Sequence, residues 1–222
     1  MTFSQLIASP WLVAALFFVI AYAYSSVGLA GGSAYTALLA VLGFNSLAIP
    51  MISLVLNLIV TSVGSFNFIR SGHGRLRLVL PFLVSSRPMA YLGGTLQLAR
   101  EVFYWALLLS LMLVAVRLFM WKDASFRLNL GAGQRLAVSL VAGAVLGLVA
   151  GVVGIGGGIY LVPLIIILGL GTIKEAAACG AIFIWLNSLS GLAARLHYNA
   201  IDFREYVPII FAVFLGGALG KR

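Results

Sequence analysis

Seven long apolar stretches, at residues 10–27, 47–69, 76–99, 102–121, 136–153, 173–196 and 206–220, follow one another with short joints between them. A helix needs about 20 apolar residues to cross the hydrocarbon of a bilayer. In lipid the backbone has no water to bond, so such a stretch must satisfy its own amides and carbonyls as a helix. Composition agrees: 63% of the 222 residues are hydrophobic and 9% are charged, with a mean hydropathy of +1.14. A soluble domain is about 45–50% apolar with roughly a quarter of its residues charged. No water-soluble core of this size buries so much apolar surface. The sequence therefore predicts an all-α polytopic membrane protein. Soluble enzymes, nucleic-acid binders and disordered tails are excluded as readings of the whole chain.

Two further apolar stretches, 33–43 and 159–169, are too short for an ordinary span, and each follows a glycine cluster. They read as half-helices, re-entrant segments or spans of a locally thinned bilayer. Both occupy the same place in an internal repeat. Gly28-Leu29-Ala30-Gly31-Gly32 aligns with Gly154-Ile155-Gly156-Gly157-Gly158 at a separation of 126. The same offset matches Leu42-Gly43 with Leu168-Gly169 and Ser46 with Thr172, and sets Thr61-Ser62 opposite Asn187-Ser188. After a one-residue slip, Pro81 pairs with Pro208. The chain thus divides into a first repeat, 1–126, and a second, 127–222.

Charge orients the repeats. Fourteen Lys and Arg against five Asp and Glu leave a net +9, gathered in short loops where anionic head groups and the positive-inside rule account for it, so nucleic acid is not a partner. The loop after 47–69 carries Arg70, His73, Arg75 and Arg77 with no acid. Its counterpart in the second repeat carries Arg195, Asp202, Arg204 and Glu205, which cancel. The next basic loop holds Arg117, Lys122, Arg127 and Arg135 against Asp123. Both basic loops lie inside if each short piece crosses or nearly crosses, and the chain then ends inside at Lys221-Arg222. The first repeat's loop is inside and its counterpart outside, which is an inverted-topology repeat with glycine-broken helices: about seven long membrane helices plus two short half-helices. No basic region precedes the first apolar run, so a cleaved signal peptide is not expected.

Glycine-rich breaks open helices whose first N–H groups lack partners, and the resulting partial positive charge suits an anion. Ser25, Ser26, Gly28, Gly31, Gly32 and Ser33 in the first repeat, and Gly154, Gly156, Gly157 and Gly158 in the second, form such breaks. Unwound backbone at membrane depth is tolerated only where it is buried or lines a wet cavity. Two such breaks at matching positions are the best sequence pointer to a transporter's midplane site. Gly143, Gly147 and Gly151 instead lie four apart on one helical face, the pattern of close helix packing. A dinucleotide-binding reading of Gly154-x-Gly156-x-Gly158 fails, since no soluble strand precedes it and no ribose-binding acid follows.

Polar residues within the apolar runs are the remaining candidates. Asn57 and Asn187 each need a partner for the amide in hydrocarbon, by bridging helices or by lining the cavity. Ser62, Ser65, Ser188 and Ser190 rank lower, because serine in membrane helices usually bonds its own backbone. Arg87 stands mid-run beside Pro88, at a cost of about 2.5–3.5 kcal/mol on insertion scales. Either it faces a cavity, where an anion is its natural companion, or Pro88 breaks the helix and Arg87 snorkels to the interface. His73 and His197 sit at loop edges without metal-ligand spacing, and Cys179 is the lone cysteine. No metal site and no disulfide are expected. Glu175, Asp202 and Glu205 are surface charges or aids to proton coupling.

The two glycine-led breaks, the Gly-Ile-Gly-Gly-Gly-x-x-x-x-Pro pattern ending at Pro163, and Pro88 followed by Gly93-Gly94 resemble the sulfite exporter TauE/SafE family of bacterial membrane transporters. The resemblance covers nearly the whole chain and is most specific over 149–163. It implies a carrier, probable exporter, of a small anion such as sulfite, a sulfonate or a short organic acid, working by alternating access in the bacterial inner membrane. It implies no cofactor and no enzyme activity. Partners would be the anion, membrane lipid and, for a homo-oligomer, a second copy. Two departures stand out. Ala30 takes the place that Gly156 has in the second repeat, and the sequence stops at Arg222, where family members continue with an eighth long segment. The alternatives from other classes are an intramembrane enzyme, for which Ser190 and His197 stand seven apart and would not normally touch, and an accessory subunit of a larger complex.

Overall fold

The computed structural model describes residues 9–26, 30–70, 76–120, 131–199 and 201–220. Among these residues the chain forms α1 (Pro10–Ser26), α2 (Gly32–Val41), α3 (Ala48–Arg70), α4 (Leu76–Thr95), α5 (Arg100–Met120), α6 (Ala132–Val153), α7 (Gly158–Ile167), α8 (Ile173–Tyr198), a 3-10 turn (Phe203–Tyr206) and α9 (Val207–Leu219), with no strand. Three helical segments are long and apolar enough to cross a membrane by length and composition: Ala48–Phe66, Ala132–Val153 and Ile173–Tyr198. The all-helical character read from the sequence therefore holds among the described residues, and these segments are compatible with a membrane protein. Gly28, His73, Arg75, Lys122, Asp123, Arg127, Lys221 and Arg222 lie outside the described residues, as does the side chain of Arg117.

The two short helices share their geometry. Each has ten residues, follows an N-cap glycine in the left-handed region (Gly31 at φ +84°, Gly157 at φ +75°), and ends at Leu42 or Leu168 before a second left-handed glycine, Gly43 or Gly169. A side chain at positive φ costs roughly 1–2 kcal/mol, which glycine avoids, so the glycines set both ends of each half-helix. α8 starts differently, with a capping box: Thr172 Oγ1 accepts from Glu175 N, and Glu175 Oε2 accepts from Thr172 N at 2.8 Å. Glu175 is thus occupied at a helix start.

Two glycine-lined pairs hold the long helices together. A Cβ on Gly143, Gly147 or Gly151 of α6 would strike the carbonyl oxygen of Phe82, Ser86 or Ala90 of α4, so the two helices run parallel with their backbones in contact. Likewise Gly216 and Gly220 of α9 lie against the carbonyls of Phe18 and Tyr22 of α1, and Ser25 Oγ donates to Gly217 O at 2.7 Å. Lipid gives helices no hydrophobic reason to associate, so this close packing supplies the attraction. α3 and α8 cross in opposite directions: Trp185 Nε1 donates to Ser62 Oγ at 2.9 Å, while Leu54 packs near Gly191 and Leu192.

Apolar side chains gather in two main clusters. One joins α1, α2, α3, α5 and α9 around Phe17, Tyr35, Leu56 and Val213. The other joins α4, α7 and α8 around Phe82, Leu161 and Phe183. Helix α4 therefore packs with the later helices and α9 with the earlier ones.

Two expectations are corrected here. Pro88 does not end a helix, because α4 continues through Pro81 and Pro88 to Thr95. Arg195 is not a loop charge. Helix α8 runs past it to Tyr198, and Arg195 is buried, with Nη2 donating to Gly151 O at 2.9 Å and Val152 O at 2.7 Å. Those are orphan carbonyls at the end of α6, which a buried guanidinium satisfies while countering the negative end of the helix dipole.

Candidate functional site: the meeting of the two glycine breaks

The break before α2 and the break before α7 come together beside α3 and α8. A Cβ on Gly32 would meet the carbonyl oxygen of Ile155 and both polar atoms of the Asn57 amide, Nδ2 at 2.6 Å and Oδ1 at 2.7 Å. One on Gly156 would lie 2.7 Å from Ile184 Cγ2, 3.1 Å from Asn57 Nδ2 and 3.4 Å from Ser188 Oγ. Glycine at these two positions is what lets the breaks close on a single asparagine. Gly154 (φ +83°) ends α6 and Gly156 (φ +81°) turns the chain back toward α7. The chain between them passes Asn57, whose Nδ2 donates to Gly154 O at 3.3 Å.

Polar groups here are underused. Asn57 and Ser188 are fully buried, and Asn57 Oδ1 and Ser188 Oγ have no hydrogen-bond partner among the described residues. A buried polar atom without a partner costs about 1–3 kcal/mol, so an arrangement that keeps several invites an additional partner. A small recess opens beside them, lined by Tyr24, Ala30, Gly31, Gly32, Ser33, Ile155, Ile159 and Ile184. The centre of a water-sized sphere has about 10 Å³ there, room for roughly one water. The N-termini of α2 and α7 both border this region, so their unbonded first N–H groups and positive dipole ends join the Asn57 amide as neutral donors.

The first break is braced by a polar network. Thr36 Oγ1 donates to Gly32 O at 2.7 Å and lies 2.8 Å from Ser53 Oγ, which also reaches Gly32 O at 3.3 Å. The residues 126 positions later are Val162 and Cys179, neither of which carries a hydroxyl.

Of the residues singled out from the sequence, the structure brings together Gly31, Gly32, Ser33, Asn57, Gly154, Gly156 and, through Ile184, Gly158. Gly157 faces Phe183, Leu146 O and Ala150, on the α6 side of its break. Ser25 is engaged with Gly217 O, and Ser26 bonds Ala23 O in its own helix. Asn187 is fully buried with neither amide atom bonded, and its neighbour Ser188 is the residue that reaches Gly156. One step along a helix turns a side chain by about 100°, which separates the two. Arg87 is exposed on α4 and does not line the recess. Tyr35, Thr36 and Ser53 were not among the sequence candidates. An aromatic or hydroxyl residue inside an apolar run carries no periodic signal that marks it.

A second cleft, of about 590 Å³, lies between α5, α6 and α7, walled by Leu113, Val141, Leu146, Tyr160 and Pro163 among others. Its apolar walls do not suit an anion. Among the described residues no group of three or more His, Cys, Asp or Glu is placed to hold a metal ion.

A family model described as "Sulfite exporter TauE/SafE" matches residues 13–222. A protein of Sinorhizobium fredii (strain NBRC 101917 / NGR234), "Probable membrane transporter protein y4hK", is 35% identical over 212 residues, which are 94% of this chain and 85% of that protein. No solved structure matches the chain.

Proposed function

The chain belongs to the sulfite exporter TauE/SafE family and is a membrane transporter, and from that premise we propose that it carries a small anion across the bacterial inner membrane by alternating access. The observation that carries this reading is the convergence of both breaks on Asn57, a buried amide whose Nδ2 makes one hydrogen bond, to Gly154 O, of the two it can donate, beside the hydroxyl of Ser188, buried and unpartnered among the described residues. Neutral donors with two helix N-termini suit a small oxyanion, such as sulfite, a sulfonate or a short carboxylate. The recess is too small for such an anion in the conformation described, so loading requires α2 or α7 to move. Export is the direction carried by the family's description.

Alternating access follows from an inverted duplication of 1–126 and 127–222. Several contacts support it. The α4–α6 and α1–α9 pairs are made of corresponding segments, and so are the two half-helices. α3 and α8, which also correspond, cross antiparallel as inversion requires. Each repeat lends one helix to the other's core, which lets one bundle rock against the other around the breaks.

The test is flux in proteoliposomes holding the purified chain alone, with sulfite, sulfate, methanesulfonate and acetate under an imposed proton gradient. Saturable flux of one of them is expected. Equal leakage from protein-free vesicles for every anion would overturn the reading.

A further inference from the structure

The two breaks match in backbone but not in chemistry. At the offset of 126, Ser33 stands opposite Ile159, Tyr35 opposite Leu161, and Asn57 opposite Phe183. At these matched positions the first break carries hydroxyls and an amide where the second carries hydrocarbon, while Ser188 Oγ and the shared Asn57 amide also lie beside Gly156. Tyr35 is the unexplained member. It is wholly buried on α2, its ring stacks on Phe17 at 5.8 Å between centroids, and its hydroxyl has no hydrogen-bond partner among the described residues. The ring folds back along its own helix so that the oxygen lies 3.1 Å from where a Cβ on Gly31 would sit. Gly31 is the N-cap of α2 and lines the recess. The unpartnered hydroxyl therefore stands at the positive end of a half-helix, beside the glycine that lines the recess.

A purely structural tyrosine does not explain this. Stacking on Phe17 needs the ring alone, and a buried hydroxyl without a partner carries a desolvation cost that phenylalanine would not. Resting on the anion-carrier reading above, we propose that Tyr35, on the first break's half-helix, is the specificity-determining residue of the site, donating its O–H to an anion oxygen held at the α2 N-terminus. Ser33, which lines the recess, and the Asn57 amide complete a donor set without any fixed cation, a set that holds a singly charged oxyanion.

Tyr35→Phe separates the possibilities, because it removes one oxygen and keeps the ring. Flux and anion-induced thermal stabilisation of the purified protein are measured for methanesulfonate, sulfite and acetate, with Leu161→Met as the matching change at the second break. Loss of one hydrogen bond to a charged group predicts a KM raised about tenfold or more and a smaller thermal shift on adding anion. The anion-free Tyr35→Phe protein is expected to melt no lower than wild type. Leu161→Met should keep its KM within about twofold of wild type, since volume is nearly conserved. Wild-type KM and thermal shift in Tyr35→Phe would overturn the role of Tyr35 while leaving the carrier reading intact. A wild type that neither transports nor is stabilised by any of the three anions would overturn both.

Discussion

Asn57 Nδ2 donates to the carbonyl oxygen of Gly154 at 3.3 Å, tying the long helix of the first half to the glycine break of the second. Ninety-seven residues apart in the chain, the two meet because Gly32 and Gly156 both lack the Cβ that would keep the breaks off the amide. If this contact lies in the transport path, Asn57→Leu should raise the KM for the transported anion at least tenfold, about 1.4 kcal/mol. Its effect on stability should stay near 1 kcal/mol, because one long hydrogen bond and one unbonded acceptor are lost together. A wild-type KM in that variant would remove Asn57 from the path.

Gly32 and Gly43 form a matched comparison. A Cβ at Gly32 meets Ile155 O and Asn57, whereas at Gly43 nothing lies within 4 Å and only the left-handed φ of +77° opposes it. Gly32→Ala should cost roughly 1–3 kcal/mol through overpacking and abolish saturable flux. Gly43→Ala should cost about 1–2 kcal/mol and leave KM unchanged. Thermal melting in detergent alongside flux reads both.

Arg195 closes the end of α6 through two carbonyls. Arg195→Met leaves both unsatisfied in a buried place, and the melting temperature should fall by the equivalent of about 2–4 kcal/mol. Arg195→Lys should recover part of it, since an ammonium can still reach one of the carbonyls. Equal stability of all three proteins would show that water already serves those carbonyls.

Arg87 is exposed on α4, and the residue 127 positions on, at the offset that pairs Pro81 with Pro208, is the exposed Phe214 of α9. Arg87→Phe should therefore insert more readily, by up to about 2.5–3.5 kcal/mol on insertion scales, with KM unchanged. A raised KM would bring Arg87 back among the residues that meet the anion.

Inversion itself is testable by labelling. Asn45, between α2 and α3, and Lys174, at the start of α8, are exposed, and the native Cys179 is buried. Cysteines placed singly at positions 45 and 174 should react with an impermeant maleimide from opposite sides of the membrane. Labelling of both from one side would exclude an inverted repeat.

The parts of this fold legible beforehand are those governed by local rules. Hydropathy marks where helices must form, and the nine apolar stretches recur as α1–α9 with ends shifted by a few residues. The glycines at 31, 43, 154, 156, 157 and 169 take positive φ, so a backbone requirement is written directly in their identity. Gly143, Gly147 and Gly151 reveal a packing face for the same reason. Arg195 was not legible: its charge suggested a loop, and only the end of α6, forty-four residues earlier, supplies the carbonyls that make its burial favourable. Nor was the choice between Asn187 and Ser188, which depends on how α8 is rotated against the second break.

From the sequence alone came the solvent of this protein and the places where its helices must break, because each rests on hydrophobicity or on φ, properties of single residues and their neighbours. The tertiary structure alone decided which polar atoms are left without partners. Ser188 and Tyr35 look like ordinary residues of an apolar helix, and Asn57 stands out in one only as an amide whose partner the sequence does not name. Their unspent hydrogen bonds exist because helices distant in sequence pack around them and exclude water.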